Sequence, residues 1–492
     1  MPTSTLNAAD REFLSALGDV VFGNPFSAQR AAAIVRMAPG ALFGDLTRDR
    51  EALARIVAPR IAPLLEDDAA GFRRLNADDR RVAEPAIFYV SYHSYVPALD
   101  ALIERQAKGG ASLPLPFAEE AIAALVNRAI PEERALHIFS LFFQLRRAFY
   151  FIHRSLAGEC ESMRRLREAL WNNVFTHDMR GYEAALWERM EDFSTLLLGE
   201  TGTGKGQAAA AIGRSSFIPY LVGERRFAAN FAESFIATNL SQFPETLIES
   251  ELFGHRKGAF TGAIDHHEGV FGRCNAHGAL FLDEIGEVSI PVQIKLLQVL
   301  QERTFTPLGG REKQRFSGRV IAATNRPLAE LRREARFRED FFYRLCSDVI
   351  EVPTLRQRIA ESAAELEPLV GLLVSRIAGR EDKKVAALVL EALHRDLPRD
   401  YAWPGNVREL EQAVRRVLLT GAYRPELASP ASHDAEERLI ARLRAGELSA
   451  DALLSGYSAM LYDRLGSYAA VAERTQLDPR TSRKYVLSAK SG

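Results

Sequence analysis

The stretch LLLGETGTGKG, Leu196 to Gly206, decides the fold. Three consecutive leucines after Thr195 read as a strand buried on both faces, and the run QAAAAI that follows Gly206 reads as a helix. Between them Gly199, Gly202 and Gly204 let the backbone wrap closely around an anion. Their N–H groups, the helix N-terminus and the Lys205 ammonium together suit the phosphates of a nucleotide. The residues of this phosphate-binding turn are Gly199, Glu200, Thr201, Gly202, Thr203, Gly204, Lys205 and Gly206. Gly206 stands where such loops usually carry a Ser or Thr, so the hydroxyl contact to magnesium is missing.

On either side, STLLL, FIATN, ALFLDEI and RVIAATN are short apolar strands that alternate with helical stretches, the pattern of a parallel sheet with crossover helices. The strand ALFLDEIGEV, Ala279 to Val288, ends in Asp283-Glu284. A carboxylate facing Mg2+ at Asp283 and one polarising water at Glu284 fit ATP hydrolysis. Before Phe193 and after Pro353 the periodicity is helical instead. Glu66-Asp67-Asp68 lies among helical patterns without a later aspartate at a strand end, which argues against a phosphoacceptor domain. The N-terminal aromatics Phe88, Tyr89, Tyr92, Tyr95 and those of Phe139 to Phe151 read as core, with a ligand pocket or partner surface as the alternative.

The chain has 492 residues, 63 Lys and Arg against 64 Asp and Glu, and 47% hydrophobic side chains. That composition excludes disorder and collagen, and the length predicts several domains. Net charge of −1 gives no global case for nucleic acid or a membrane, so charge has to be read by segment. Cys160, Cys274 and Cys346 are far apart and fit a reducing cytoplasm. No stretch is long and apolar enough for a bilayer span, so the expected location is cytoplasmic, without a membrane partner.

ESELFGHRKGAFTGA, Glu249 to Ala263, makes a resemblance specific. With ALFLDEIGEV, LQERTFTPLGG, RVIAATN, FREDFFYRL, PTLRQR and WPGNVREL in order, residues 193–420 resemble the bacterial enhancer-binding proteins, the AAA+ activators of sigma-54 RNA polymerase. The resemblance implies an α/β AAA+ P-loop ATPase core with a helical lid, using ATP and Mg2+. It implies that Gly258, Ala259, Phe260, Thr261, Gly262 and Ala263 form a mobile loop that engages sigma-54, supported by the loop Thr304 to Gly310. Arg338 and Arg344 match arginines supplied in trans to the phosphoryl group, which implies a homo-oligomeric ring, a hexamer in the family. Thr324 and Asn325 match sensor I, and Arg408 matches sensor II. Asn239 matches a residue that positions the Walker B glutamate, although a helix cap is an equally good reading of it. Gly272 stands in GVFGRCNA where relatives carry an acid.

In Leu465 to Gly492, five basic side chains (Arg474, Arg480, Arg483, Lys484, Lys490) face two acidic ones. YAAVAERTQLDPRTSRKYV predicts a helix, a turn and a second helix opening at Pro479. It resembles the Fis-type all-α helix-turn-helix domain of these activators, which implies binding to enhancer-type DNA through Arg480, Thr481, Ser482, Arg483 and Lys484. A basic helix packing on its own domain is the alternative. The expected organisation is a mostly helical regulatory domain over 1–175, the α/β ATPase over 176–352, its lid over 353–424, a linker over 425–434 and the DNA-binding domain over 435–492.

Overall fold

The computed structural model describes residues 5–37, 46–66, 70–333, 336–398, 400–425, 439–440, 442–443, 446 and 448–490. Asp67, Asp68 and residues 426–434 of the expected linker lie outside them. The chain forms two compact units, Met1–Ala422 and Tyr423–Gly492. Among the described residues no helix is long and apolar enough to cross a membrane.

The large unit is built on five parallel strands: β1 Thr195–Leu198, β2 Phe235–Asn239, β3 Ala279–Asp283, β4 Arg319–Thr324 and β5 Asp348–Glu351. They lie in the order β2-β3-β4-β1-β5. Continuous apolar runs form these strands because both faces of the sheet are covered, and all six residues of β4 are buried. Side-chain alternation sends Leu197, Phe281, Ile321, Ala323 and Ile350 to one face. Leu196, Leu280, Leu282, Val320 and Ala322 point to the other, against the helices Glu245–Phe253 and Ile290–Glu302.

The first face is covered by the helix Lys205–Gly213 and by the N-terminal helical layer, whose core is continuous with the sheet. The boundary expected at 175 therefore does not divide two compact bodies. The helix Glu132–Arg154 makes the closest join. Phe143 stacks on Phe227 with ring centroids 4.1 Å apart. Arg147, wholly buried, donates to the carbonyls of Arg214 and Ser216, both at 2.7 Å, with its guanidinium over the Phe143 ring. Gln144 donates to the Ser215 carbonyl at 2.9 Å, and the Ser140 hydroxyl accepts from the Tyr220 N–H at 3.0 Å. On the sheet side, Arg319 donates to the carbonyls of Asn173 (3.0 Å) and Phe193 (2.9 Å).

The lid comprises the helices Leu355–Glu361, Leu366–Ala378, Lys383–Asp396 and Asn406–Thr420. Its first turns are tied to the N-terminal layer by Glu365, whose side chain is 2% exposed and pairs with Arg358 at 2.8 Å. The same carboxylate accepts from the backbone N–H of Cys160 at 2.7 Å and from that of Glu159. Glu361 accepts from the Ser162 N–H at 2.7 Å.

In the small unit the helices Ala450–Leu465, Tyr468–Thr475 and Pro479–Lys490 enclose a core of Leu461, Val471 and Val486. The turn before the last helix is closed by Asp478, which accepts from the N–H groups of Arg480 (2.9 Å) and Thr481 (3.1 Å).

Burial acts most strongly on Glu365 and pushes its pKa up, but the hydrogen bonds from Arg358, Cys160 and Glu159 outweigh it and hold the group below the ordinary carboxylate value. A carboxylate depressed in the folded state stabilises fully above its unfolded pKa of about 4.3 and loses that contribution as pH falls through the folded value. Glu365→Ala should therefore cost about 3–5 kcal/mol near neutral pH, because it strands Arg358 as a buried unpaired charge. Urea unfolding is the measurement. The gap to the wild type should narrow as pH falls below the unfolded carboxylate value of about 4.3 and through the depressed folded value, where the wild type also loses the carboxylate.

Candidate nucleotide site and partner-facing loop

Parallel register brings residues distant in sequence to one edge of the sheet. Leu198, which leads into the phosphate-binding turn, lies opposite Thr324, and Asn239 lies opposite Asp283. These are the carboxyl ends of the strands, where open α/β sheets bind ligands. Lys205 opens its helix directly after Gly204, which is held at a φ of 104°. Its ammonium donates to the carbonyls of Gly199 (2.7 Å) and Glu200 (3.1 Å). Burial lowers its pKa, while the carboxylates of Glu284 and Asp283 pull it back up, so all three groups share one electrostatic site.

Asp283 accepts from the Glu284 N–H at 3.1 Å, and Glu284 takes the left-handed conformation at a φ of 57°. Burial first, and Asp283 second, push the Glu284 carboxyl above the ordinary value, which suits a base that must take a proton near neutral pH. Asn325 donates from its side chain to the Thr201 hydroxyl at 3.1 Å, and its backbone N–H also faces Glu284. Thr324 closes the turn by accepting from the Arg326 N–H at 3.2 Å. Asn239 caps the turn that follows it, accepting from the Ser241 N–H at 3.0 Å and the Ser241 hydroxyl at 2.8 Å.

The lid closes on this turn from above. Arg408 donates its backbone N–H to the Gly202 carbonyl at 3.3 Å, and its charge lowers the pKa of Lys205. A Cβ at Gly202 would come within 2.3 Å of the Gly405 carbonyl oxygen, so only glycine admits this approach. Two lid residues that motif reading missed complete the contact. Asn406 donates to the Thr201 carbonyl at 3.1 Å and to Glu200 at 3.2 Å, and Arg356 pairs with Glu200 through both of its terminal nitrogens. Asn406 follows a glycine ahead of a helix, which in sequence signals only a cap.

Around Gly206 the nearest atom to an added Cβ is Phe281 Cε1 at 4.0 Å, so its lack of a side chain leaves room beside the phosphate-binding turn. An added Cβ at Gly272 would meet the Glu268 side chain at 3.0 Å. Glu268 thus places a carboxylate beside the position where the acid is missing.

The two arginines expected to act in trans are held differently. Arg338 is half-buried and pairs with Asp340 at 2.7 Å, while its N–H donates to the side chain of buried Gln293 at 3.0 Å. Arg344 is half-buried and donates twice to the Leu300 carbonyl at the end of its neighbouring helix, at 3.0 and 2.9 Å.

The loop Gly258 to Ala263 is closed at its base by the Gly258 N–H on the Ala263 carbonyl at 2.8 Å. Gly258 and Gly262 take φ values of 79° and 102°, left-handed conformations that glycine adopts without strain. Phe260 is 39% exposed and packs edge-on to His255, and Thr261 is exposed beside it. His255 and His267 exchange backbone hydrogen bonds beneath the loop. Arg256 donates to the Leu308 carbonyl at 2.9 Å, and a Cβ at Gly309 would meet Ala259 at 2.8 Å. The second loop therefore buttresses the first.

In the small unit Arg480, Arg483 and Lys484 are exposed on the last helix. Thr481 donates its hydroxyl to Asp478. Ser482, expected on the same outward face, is wholly buried next to Thr475; helical periodicity turns it inward with Val486.

Residues 180–351 match the family described as the sigma-54 interaction domain, and residues 360–425 match the AAA+ ATPase lid domain. The chain is 42% identical over 239 residues to the transcriptional regulatory protein ZraR of Escherichia coli K12, covering 48% of this chain and 50% of that protein. It is 36% identical over 336 residues to the Nif-specific regulatory protein of Azotobacter vinelandii, covering 62% of this chain and 57% of that protein. A third relative, the nitrogen fixation protein AnfA of Azotobacter vinelandii, is 41% identical over 226 residues, 46% of this chain and 39% of its own length. The chain spans about half the length of these relatives. A crystal structure of NtrX from Brucella abortus aligns with a TM-score of 0.39 at 21% identity, over 76% of this chain and 81% of that one. Residues 180–351 thus correspond to a sigma-54 interaction domain and residues 360–425 to an AAA+ lid.

Proposed function

We propose that this protein is a sigma-54-dependent transcriptional activator, an ATPase that works as a homo-oligomeric ring, a hexamer by resemblance, and remodels the closed promoter complex. The observation that supports it most directly is the gathering of Lys205, Asp283, Glu284, Asn325 and Arg408 around one glycine turn, in the same unit as an exposed loop carrying Phe260 and Thr261. The turn Gly199 to Lys205 would hold the phosphates of ATP, with the Lys205 ammonium and the charge of Arg408 to neutralise them. A single carboxylate at Asp283, with phosphate oxygens, is a donor set that suits magnesium. The ion supplies neutralisation of phosphate charge when bound. Glu284 accepts a proton from the attacking water, and Asn325 ties the state of Glu284 to Thr201 in the turn.

Arg338 or Arg344 of a neighbouring subunit would stabilise the transferring phosphoryl group. Arg344 must first leave the Leu300 carbonyl, so assembly is the event that arms it. Arg480, Arg483 and Lys484 would bind enhancer-type DNA from the small unit, with Thr481 committed to its cap and Ser482 to the core.

Lys205→Ala should weaken ATP binding about 10- to 100-fold, since it removes charge-assisted hydrogen bonds of about 1.5–3 kcal/mol. Glu284→Gln should retain binding and lower turnover by about 10²- to 10⁴-fold. Nucleotide titration and single-turnover hydrolysis separate the two. Because the Glu284 carboxyl is raised, wild-type turnover should fall on the acid side at a higher pH than an ordinary carboxylate would give. Equal nucleotide affinity in wild type and Lys205→Ala would overturn the site.

Thr261→Ala should keep ATPase activity and DNA binding yet fail to open a sigma-54 promoter in a purified transcription assay. The hydroxyl is exposed at the loop tip, so its loss removes a contact made to a partner. Normal open-complex formation by that variant would favour a regulator acting by occupancy.

A further inference from the structure

Arg344 is held at two points of different kinds. Its guanidinium lies on the Leu300 carbonyl, a bond that has to break before the side chain can reach a neighbouring subunit. Its own carbonyl accepts from the Ser194 hydroxyl at 2.7 Å. The last carbonyls of a helix have no partner within it, and Arg344 is the last residue but one of the helix Glu339–Leu345. Ser194 therefore supplies from outside what the helix cannot. It is 3% exposed, which shields the bond from water. A main-chain bond can persist while the side chain swings, and it fixes the point about which the guanidinium moves.

Ser194 is itself fixed from both sides. The Phe193 carbonyl before it accepts from Arg319 at 2.9 Å, and the Thr195 hydroxyl after it accepts from Asn173 at 2.9 Å. Asn173 also donates to Asp348, whose N–H donates to the Ser194 carbonyl at 3.3 Å. Arg319, Asn173 and Thr195 are all buried, and Arg319 joins the other two by donating to the Asn173 side chain at 2.9 Å and to the Thr195 hydroxyl at 3.2 Å.

Asn173 belongs to the helix Glu161–Phe175, and the two residues before it face the start of the chain. Trp171 meets Phe26 edge-on, with ring centroids 6.0 Å apart. The Asn172 side chain accepts from Asn24 at 2.9 Å, and Asn24 donates also to the Glu168 carbonyl at 3.0 Å. Three consecutive residues thus connect the first helices of the N-terminal layer to the entry of β1, where Ser194 stands.

We propose that Ser194 is the positioning residue for Arg344, and that the helix Glu161–Phe175 makes this position depend on the N-terminal layer. The proposal rests on the reading of Arg344 as an arginine supplied in trans. Contacts made in a transition state tolerate little displacement, an error of about 1 Å costing on the order of 10²-fold in rate. A pivot set by Ser194 keeps the guanidinium within that margin, and a shift of the helix reaches it through Asn173.

The test uses mixed rings of the full-length chain, their assembly checked by native mass spectrometry. Arg344→Ala subunits keep their nucleotide site and Glu284→Gln subunits keep the arginine, so a mixture hydrolyses ATP where a site of the first faces an arginine of the second. Ser194→Ala added to the Glu284→Gln subunits should lower turnover at saturating ATP by about fivefold or more, with KM for ATP unchanged. Added to the Arg344→Ala subunits instead, it should leave turnover within about twofold, because those subunits have no arginine left to position. Asn24→Ala should show the same dependence on placement, changing turnover by about threefold or more only in the Glu284→Gln subunits; Thr195→Val replaces it if it does not fold. Equal loss from either placement of Ser194→Ala, no loss from either, or a raised KM would overturn the positioning role. An Asn24→Ala effect that is absent, or the same in both placements, would overturn the link to the N-terminal layer. A starting mixture that regains no turnover over Arg344→Ala alone would instead overturn the reading of Arg344 on which the proposal rests.

Discussion

A parallel sheet must be covered on both faces, and in this molecule one of the two covers is the N-terminal helical layer. The rest of the large unit follows from that constraint. Leu197, Phe281, Ile321, Ala323 and Ile350 stay dry because helices from the first 175 residues, with the helix after the phosphate-binding turn, lie over them. Arg147 fixes the placement. A guanidinium taken out of water is costly, and here two backbone carbonyls and two aromatic faces offset that cost, which leaves the helix Glu132–Arg154 one seat on the core.

The nucleotide site obeys a second constraint, on charge. Lys205, Asp283 and Glu284 perturb one another before any phosphate arrives, and the burial that raises Glu284 is the same burial that lowers Lys205. The lid adds Arg408 to this group while Asn406 and Arg356 bind the far side of the turn through Glu200 and Thr201. Rigid-body movement of the lid thus alters both the shape of the turn and the potential within it.

Much of this was legible in the sequence because phosphate binding and carboxylate placement require particular residue types at fixed spacing. Gly202, Lys205, Asp283 and the glycine-flanked Phe260 have few alternatives compatible with the roles proposed for them. What helical periodicity cannot give is the partner of a face. The apolar stripe of Glu132–Arg154 has the same spacing whether it meets its own layer, a ligand or the ATPase sheet, and it turns out to face a cavity on one side and the core on the other. Ser482 was misplaced for a related reason: a run of small and basic residues reads as uniformly outward, whereas a helix turns one in every three or four of them into the core. Glu365 left no sequence signal and Asn406 only that of a cap, because their partners lie some two hundred positions away.

The shared core also constrains how such a protein can evolve. A sensor joined by a tether can be exchanged for another by recombination at the tether, with the ATPase left intact. Here the N-terminal helical layer is the wall of the nucleotide-binding sheet, so any replacement would have to bring its own aromatic face for Phe227 and its own cation for the Arg214 and Ser216 carbonyls. Change in this layer is thereby confined to substitutions inside it, and the lineage inherits the helical layer and the nucleotide-binding core as one piece.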